Sequence, residues 1–103
     1  MQVTLGPVQS IPEGEGRCFA VGERKLAVFR ARSGRVFAVQ ATCPHRGGPL
    51  ADGLVGGHSV ICPLHALRFD LETGESSDGS CSLATYPAAL GPNGQIVVDV
   101  ARE

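Results

Sequence analysis

Residues 43–65 read CPHRGGPLADGLVGGHSVICPLH, and the two ends of this stretch decide the rest. Cys43-Pro44-His45 opens it and Cys62-Pro63-Leu64-His65 closes it, each a cysteine, then a proline, then a histidine one or two positions on. Sixteen residues separate His45 from Cys62. Two loops that present the same ordered sulfur and nitrogen donors make a four-ligand metal site. Mononuclear zinc accepts two sulfurs and two nitrogens, yet structural zinc sites usually place about two to four residues between paired ligands. The single residue between Cys43 and His45 fits that poorly. Using the cysteines in a disulfide would leave the two matched histidines without a role.

Outward from the motif the chain reads as short apolar strands punctuated by turns. Residues 3–8, 17–21, 26–31 and 36–40 are expected to be strands, with Ser33-Gly34 closing a hairpin between the last two. Val60 and Ile61 lead into the second motif, and residues 83–90 and 96–100 are expected to pair across Pro92-Asn93-Gly94. No segment carries a helical hydrophobic period. Fourteen glycines and seven prolines suit such a turn-rich, all-β chain. The 103 residues are expected to form one domain. Residues 42–72 would be a metal-binding unit inserted into an antiparallel sandwich or barrel base.

The stretch from Cys43 through Asp70 resembles the cluster-binding half of a bacterial Rieske-type ferredoxin. Downstream, Leu71-Glu72-Thr73-Gly74-Glu75 and Cys81-Ser82-Leu83-Ala84-Thr85-Tyr86-Pro87 are similar to the nitrite reductase small-subunit family, while the first forty or so residues match only loosely. The resemblance implies the Rieske fold and a [2Fe–2S] cluster held by Cys43, His45, Cys62 and His65, the thiolates on one iron and the imidazoles on the other. It also implies a one-electron carrier between a flavin-dependent NAD(P)H reductase and a terminal oxygenase or reductase, with no catalytic acid, base or nucleophile of its own. The small subunit of an assimilatory nitrite reductase is the competing role, and a zinc-stabilised binding module without redox function is the reading of a different class. Neutral imidazoles in place of two thiolates make the centre less negative, which raises its potential above that of an all-cysteine cluster.

Several positions depart from the wider family. The Rieske proteins of respiratory complexes carry a disulfide between the two loops, where this chain has Gly48 and Leu64, and hydroxyl side chains where it has Leu67 and Phe69. Fewer hydrogen bonds to the sulfurs imply a potential at the low end of the Rieske range. Ala66 stands where most members have glycine, so an ordinary negative φ is expected there. Gly47, Gly48, Pro49 and Gly53 are expected to shape the loops, and Leu50 and Leu64 to give the cluster apolar cover.

The remaining candidates are secondary. Cys18 and Cys81 are expected to be buried or half-buried thiols, and His58 a surface turn residue. Arg46 and Arg68 are either solvated charges or contacts for a redox partner. Residues 1–51 hold seven basic and three acidic side chains, and residues 52–103 two basic and seven acidic, against a net charge of −1. Asp70, Glu72, Glu75 and Asp78 could form an acidic rim that steers a basic partner. Nothing resembles a nucleic-acid patch. No apolar run approaches the ~20 residues that span a bilayer, and the N-terminus lacks the pattern of a secretory signal. A cytoplasmic location without membrane contact is expected.

Overall fold

The computed structural model describes residues 2–43, 49–62 and 67–100. Ten strands run in chain order: β1 Gln2–Pro7, β2 Glu15–Val21, β3 Arg24–Arg30, β4 Val36–Gln40, β5 Leu54–Gly56, β6 Ser59–Ile61, β7 Arg68–Asp70, β8 Thr85–Tyr86, β9 Ala88–Leu90 and β10 Gln95–Asp99. They build three antiparallel sheets, ordered β1-β10-β9, β2-β3-β4-β8 and β5-β6-β7. Among the described residues the only helical pieces are three short 3-10 turns, so the all-β expectation holds.

The four-stranded sheet is the middle layer, and its sequence shows why. Leu26, Ala27, Val28 and Phe29 are all fully buried, as are or nearly are Val36, Phe37, Ala38 and Val39. Successive strand residues point to opposite faces, so an unbroken apolar run requires cover on both. Leu26, Val28, Val36 and Ala38 pack with Ile96 and Val98 of β10 and with Val8 and Ile11. Ala27, Phe29, Phe37 and Val39 pack on the opposite side with Leu50, Val60, Phe69, Leu71 and the two cysteines Cys43 and Cys62. The base is thus a two-sheet sandwich, and the β5-β6-β7 sheet is a third layer laid over its other face.

Residues 83–90 do not form the single strand expected from their composition. The segment divides at Pro87: Thr85 and Tyr86 pair with β4, and Ala88 to Leu90 pair with β10 in the other base sheet. Proline cannot donate to a ladder, and Pro87 instead offers its carbonyl to the Asp99 N–H at 2.8 Å. The chain thereby steps from one sheet to the other. Val8 likewise leaves the first strand for a 3-10 turn, where its side chain is 8 % exposed in the core. The turns at Gly34 and at Pro92–Gly94 lie where the sequence placed them, with Asn93 at φ 62° tolerating the left-handed conformation.

Phe29, with Phe69 the largest of the fully buried side chains among the described residues, sits at the interface of the middle sheet with the third layer. Phe29→Ala is expected to lower unfolding free energy by about 3–5 kcal/mol, measured by urea denaturation of the folded protein and of the variant.

Candidate metal centre

Cys43 and Cys62 are each 1 % exposed and belong to one apolar cluster with Leu50, Val60, Phe69 and Leu71. Each stands at the neck of a loop. The first loop leaves β4 through Ala41 and Thr42 and is closed by an isolated antiparallel bridge between Thr42 and Pro49 and by the Leu50 N–H bonded to the Ala41 carbonyl at 3.0 Å. The second leaves β6 through Cys62, whose N–H bonds the Leu67 carbonyl at 2.9 Å as the chain enters β7. His45, Arg46, Gly47, Gly48, Leu64, His65 and Ala66 lie outside the described residues.

Between the necks the chain needs a close approach. A Cβ on Gly53 would run into the Ile61 carbonyl oxygen, which accounts for glycine there at an ordinary φ of −75°. Leu50, in a 3-10 turn over Leu50–Asp52, is fully buried beside the cysteines, in line with an apolar cover. Leu67 is half-buried against the same cluster, and Phe69 is fully buried in it.

A polar cluster ties this unit to the base. Glu72, just after β7, pairs with Arg35, and the guanidinium lies 4.8 Å from the centre of the Phe37 ring. His58, in the β5–β6 turn, packs on the same Phe37 ring, at 5.1 Å between ring centres. Its ring nitrogens lie 3.6 Å from Glu72 and 3.1 Å from the Ser33 hydroxyl. His58 therefore keeps a surface position, its side chain 38 % exposed, but as part of a contact between layers.

The acidic run is exposed, though much of it serves local structure. Asp70 accepts from the Glu72 and Thr73 N–H groups at 2.8 and 3.2 Å, and Glu72 is occupied by Arg35. Arg68 is exposed and has no carboxylate partner among the described residues. Cys81 is half-buried against the cysteine-bearing core, as expected. Cys18 is not buried: it lies on the edge strand β2 and is exposed, while its cross-strand neighbour Ala27 is covered by the third layer. Sequence reading also missed Gln40, whose side-chain amide contacts both Thr42 and Ala84. A polar residue at the last position of an apolar strand was the available signal.

The donor set suits a sulfur-rich metal group. Two cysteines at the necks of two loops, buried together among apolar side chains, are sulfur donors in a surround that tunes a bound metal group. On an antiparallel β base, that arrangement is the scaffold of a metal-loop protein.

Comparison with known proteins specifies the class. Residues 1–87 match the Rieske [2Fe-2S] domain. The chain is 32 % identical over 82 residues to the ferredoxin component of the naphthalene 1,2-dioxygenase system of Pseudomonas aeruginosa, covering 78 % of each chain. It is 35 % identical over 82 residues to the oxygenase component of a 3-ketosteroid-9-alpha-monooxygenase from Mycolicibacterium smegmatis, 80 % of this chain but only 20 % of that protein. Among solved structures, a Mycobacterium tuberculosis protein assigned as the small subunit of an NADH-dependent nitrite reductase superposes with a TM-score of 0.90 at 28 % identity over 99 % of this chain and 97 % of that one. The Sphingomonas yanoikuyae B1 ferredoxin gives 0.83 at 29 % identity, covering 98 % and 100 %. The chain belongs to the Rieske [2Fe-2S] domain family, and its cofactor is the Rieske-type [2Fe–2S] cluster. No helix among the described residues is long and apolar enough to cross a membrane.

Asp78 organises the turn that brings Cys81 to this core. Its carboxylate accepts from the Ser80 N–H, the Ser80 hydroxyl and the Ser76 hydroxyl at 2.9, 2.7 and 2.8 Å, and these bonds, led by the Ser80 N–H, lower its pKa from 3.8 to about 2. A lowered carboxylate pKa stabilises the fold above the unfolded value and loses that contribution as pH falls through the folded one. The turn should therefore hold at pH 4 and loosen toward pH 2. An NMR titration is expected to show the Asp78 carboxyl and the Ser80 amide shifting together near pH 2, and not near 4.

Proposed function

We propose that the chain is a one-electron carrier whose cluster is held by Cys43, His45, Cys62 and His65. The observation that carries this reading is the placement of both cysteines, nearly fully buried in one apolar cluster, at the necks of two separately closed loops. When bound, the cluster supplies a centre that takes up and gives back one electron. Cys43 and Cys62 would bind one iron as thiolates, and His45 and His65 the other through one ring nitrogen each. Leu50, Val60, Phe69 and Leu71 keep water from the sulfur side. Low local polarity and the lack of a hydroxyl at Leu67 and Phe69 favour a low potential. Residues 42–72 act as the cluster-binding unit of a single domain.

The partners we assign are a flavoprotein reductase as donor and a terminal oxygenase as acceptor. The ferredoxin components it resembles over most of their length support that role. The small subunit of a nitrite reductase is the second reading, favoured by the likeness over 99 % of the chain to the mycobacterial protein and by Cys81 to Pro87. Both place the carrier in the cytoplasm, without nucleic acid or membrane as partner. Reconstitution with each pair of candidate enzymes distinguishes them, by coupled substrate oxidation or by nitrite consumption.

Aerobic protein should be brown and its visible absorption should bleach with dithionite. Cys43→Ser and Cys62→Ser are expected to lose the cluster and loosen the two loops, because metal bonds close them, while the base strands survive. Iron analysis with circular dichroism checks this, and colourless protein carrying one zinc would reverse it.

Leu67→Ser is expected to raise the midpoint potential by roughly 60 mV, the one-electron equivalent of about 1.4 kcal/mol, through a new donor that favours the reduced centre. Protein-film voltammetry reads the shift directly. Phe69→Tyr serves less well, since Phe69 is fully buried and an unpartnered hydroxyl there costs about 1–3 kcal/mol.

A further inference from the structure

Gln40 is the last residue of β4 and is half-buried. Its backbone N–H bonds the Ala84 carbonyl at 2.9 Å, as continuation of the β4–β8 ladder requires. The reciprocal bond departs from the ladder. The Ala84 N–H goes instead to the Gln40 side-chain oxygen Oε1, at 2.7 Å. The side chain thus stands in for its own backbone carbonyl, which lets the main chain turn out of the sheet toward Cys43. The other end of the same amide grips that turn: Nε2 donates to the Thr42 carbonyl at 2.7 Å.

These bonds continue into the second loop. Next to Ala84, the Leu83 N–H bonds the Gly74 carbonyl at 2.7 Å, and the Gly74 N–H bonds the Asp70 carbonyl at 2.7 Å, at the end of the strand that leaves the second loop. Gly74 has φ +83° and a Cβ there would strike the Leu83 carbonyl oxygen, so this close approach admits only glycine without strain. A strap of hydrogen bonds therefore runs from Thr42 through Gln40, the 83–84 segment and Gly74 to Asp70. It joins the neck of the first loop to the strand issuing from the second. Gln40 is the one side chain in it, and a single amide supplies both its donor and its acceptor.

We propose that Gln40 is a positioning residue of the centre: its amide fixes the neck that carries Cys43 relative to the second loop. It rests on the reading that the two loops hold the cluster. A cluster spanning both loops requires their relative position to be held, and removal of outer partners of metal ligands typically weakens binding by roughly ten- to a hundredfold. Gln40 itself belongs to neither of the two buried apolar clusters.

The test compares Gln40→Leu, Gln40→Glu and Ser10→Ala in the full chain. Ser10 makes a comparable bond in the base, its hydroxyl donating to the Pro7 carbonyl at 2.8 Å. Loss of visible absorption in excess chelator reads cluster release, and the midpoint potential is measured on the loaded proteins. Gln40→Leu is expected to release its cluster at least about tenfold faster than the parent and to shift its potential. Gln40→Glu, which keeps the acceptor for Ala84 but not the donor to Thr42, should behave likewise, and Ser10→Ala should match the parent in both. Parent-like release and potential in either Gln40 variant, or equal acceleration by Ser10→Ala, would overturn the proposal. Hydrogen exchange at the Leu50 amide reads the same neck with or without a cluster, and unchanged exchange in Gln40→Leu would overturn it too. A parent chain that takes up no cluster would instead defeat the ligand assignment.

Discussion

Two-face burial of β3 and β4 is the constraint from which the rest follows. A sheet covered on one side could shift against its partner, but these strands send alternate side chains into two separate cores. Sliding either by one residue would exchange the two sets. Phe29 and Phe37 would then enter a space built for Val28 and Ala38. The register is fixed in this way from Leu26↔Gln40 to Arg30↔Val36. The first loop leaves from the end of that locked strand, so Cys43 inherits a defined place. The second loop rises from the layer that covers the same sheet, and the shared core holds the two necks together.

The fold class and the kind of cofactor were legible in the sequence for different reasons. The strands β3 and β4 announce themselves because their apolar runs exceed what a one-sided sheet needs, and the Pro92-Asn93-Gly94 turn because its conformation demands those residues. The kind of cofactor could be read because a metal requires particular donors at particular spacings. The break at Pro87 was harder, since residues on both sides are apolar and only the change of sheet gives the proline its meaning. Exposure of Cys18 depends on β2 lying at a sheet edge, a matter of topology that no local pattern encodes. Gln40 carried only a weak local signal for the same cause: its bonds reach Ala84, 44 residues away.

Charge polarisation along the chain takes on a structural sense once the layers are assembled. Arg35 belongs to the basic half and Glu72 to the acidic half, and they meet across the joint between the base and the cluster unit. Their side chains are about half exposed, so the pair adds only about 0–1 kcal/mol. Its effect is better described as orientation. Phe37 supplies the apolar surface on which both Arg35 and His58 rest, and Glu72 faces both cations when His58 is protonated. The joint thus combines packing, which stabilises, with charges that select one angle between layers. Glu75 and Arg68 remain at the exposed surface beside the second loop, where unlike charges can orient an approaching protein without contributing to the fold.

Cys43 and Cys62 lie in the core beneath the third layer. A thiol packs in an apolar cluster as a small hydrophobe, but a thiolate left there without a partner would be a buried charge of high cost. As the proposed ligands, Cys43 and Cys62 would find that partner in metal–sulfur bonds. The backbone beside each cysteine is held by the Thr42–Pro49 bridge and the Cys62–Leu67 bond. A locked base sheet and two tethered loops are thus one solution to a single problem, that of holding a charged group in an apolar place.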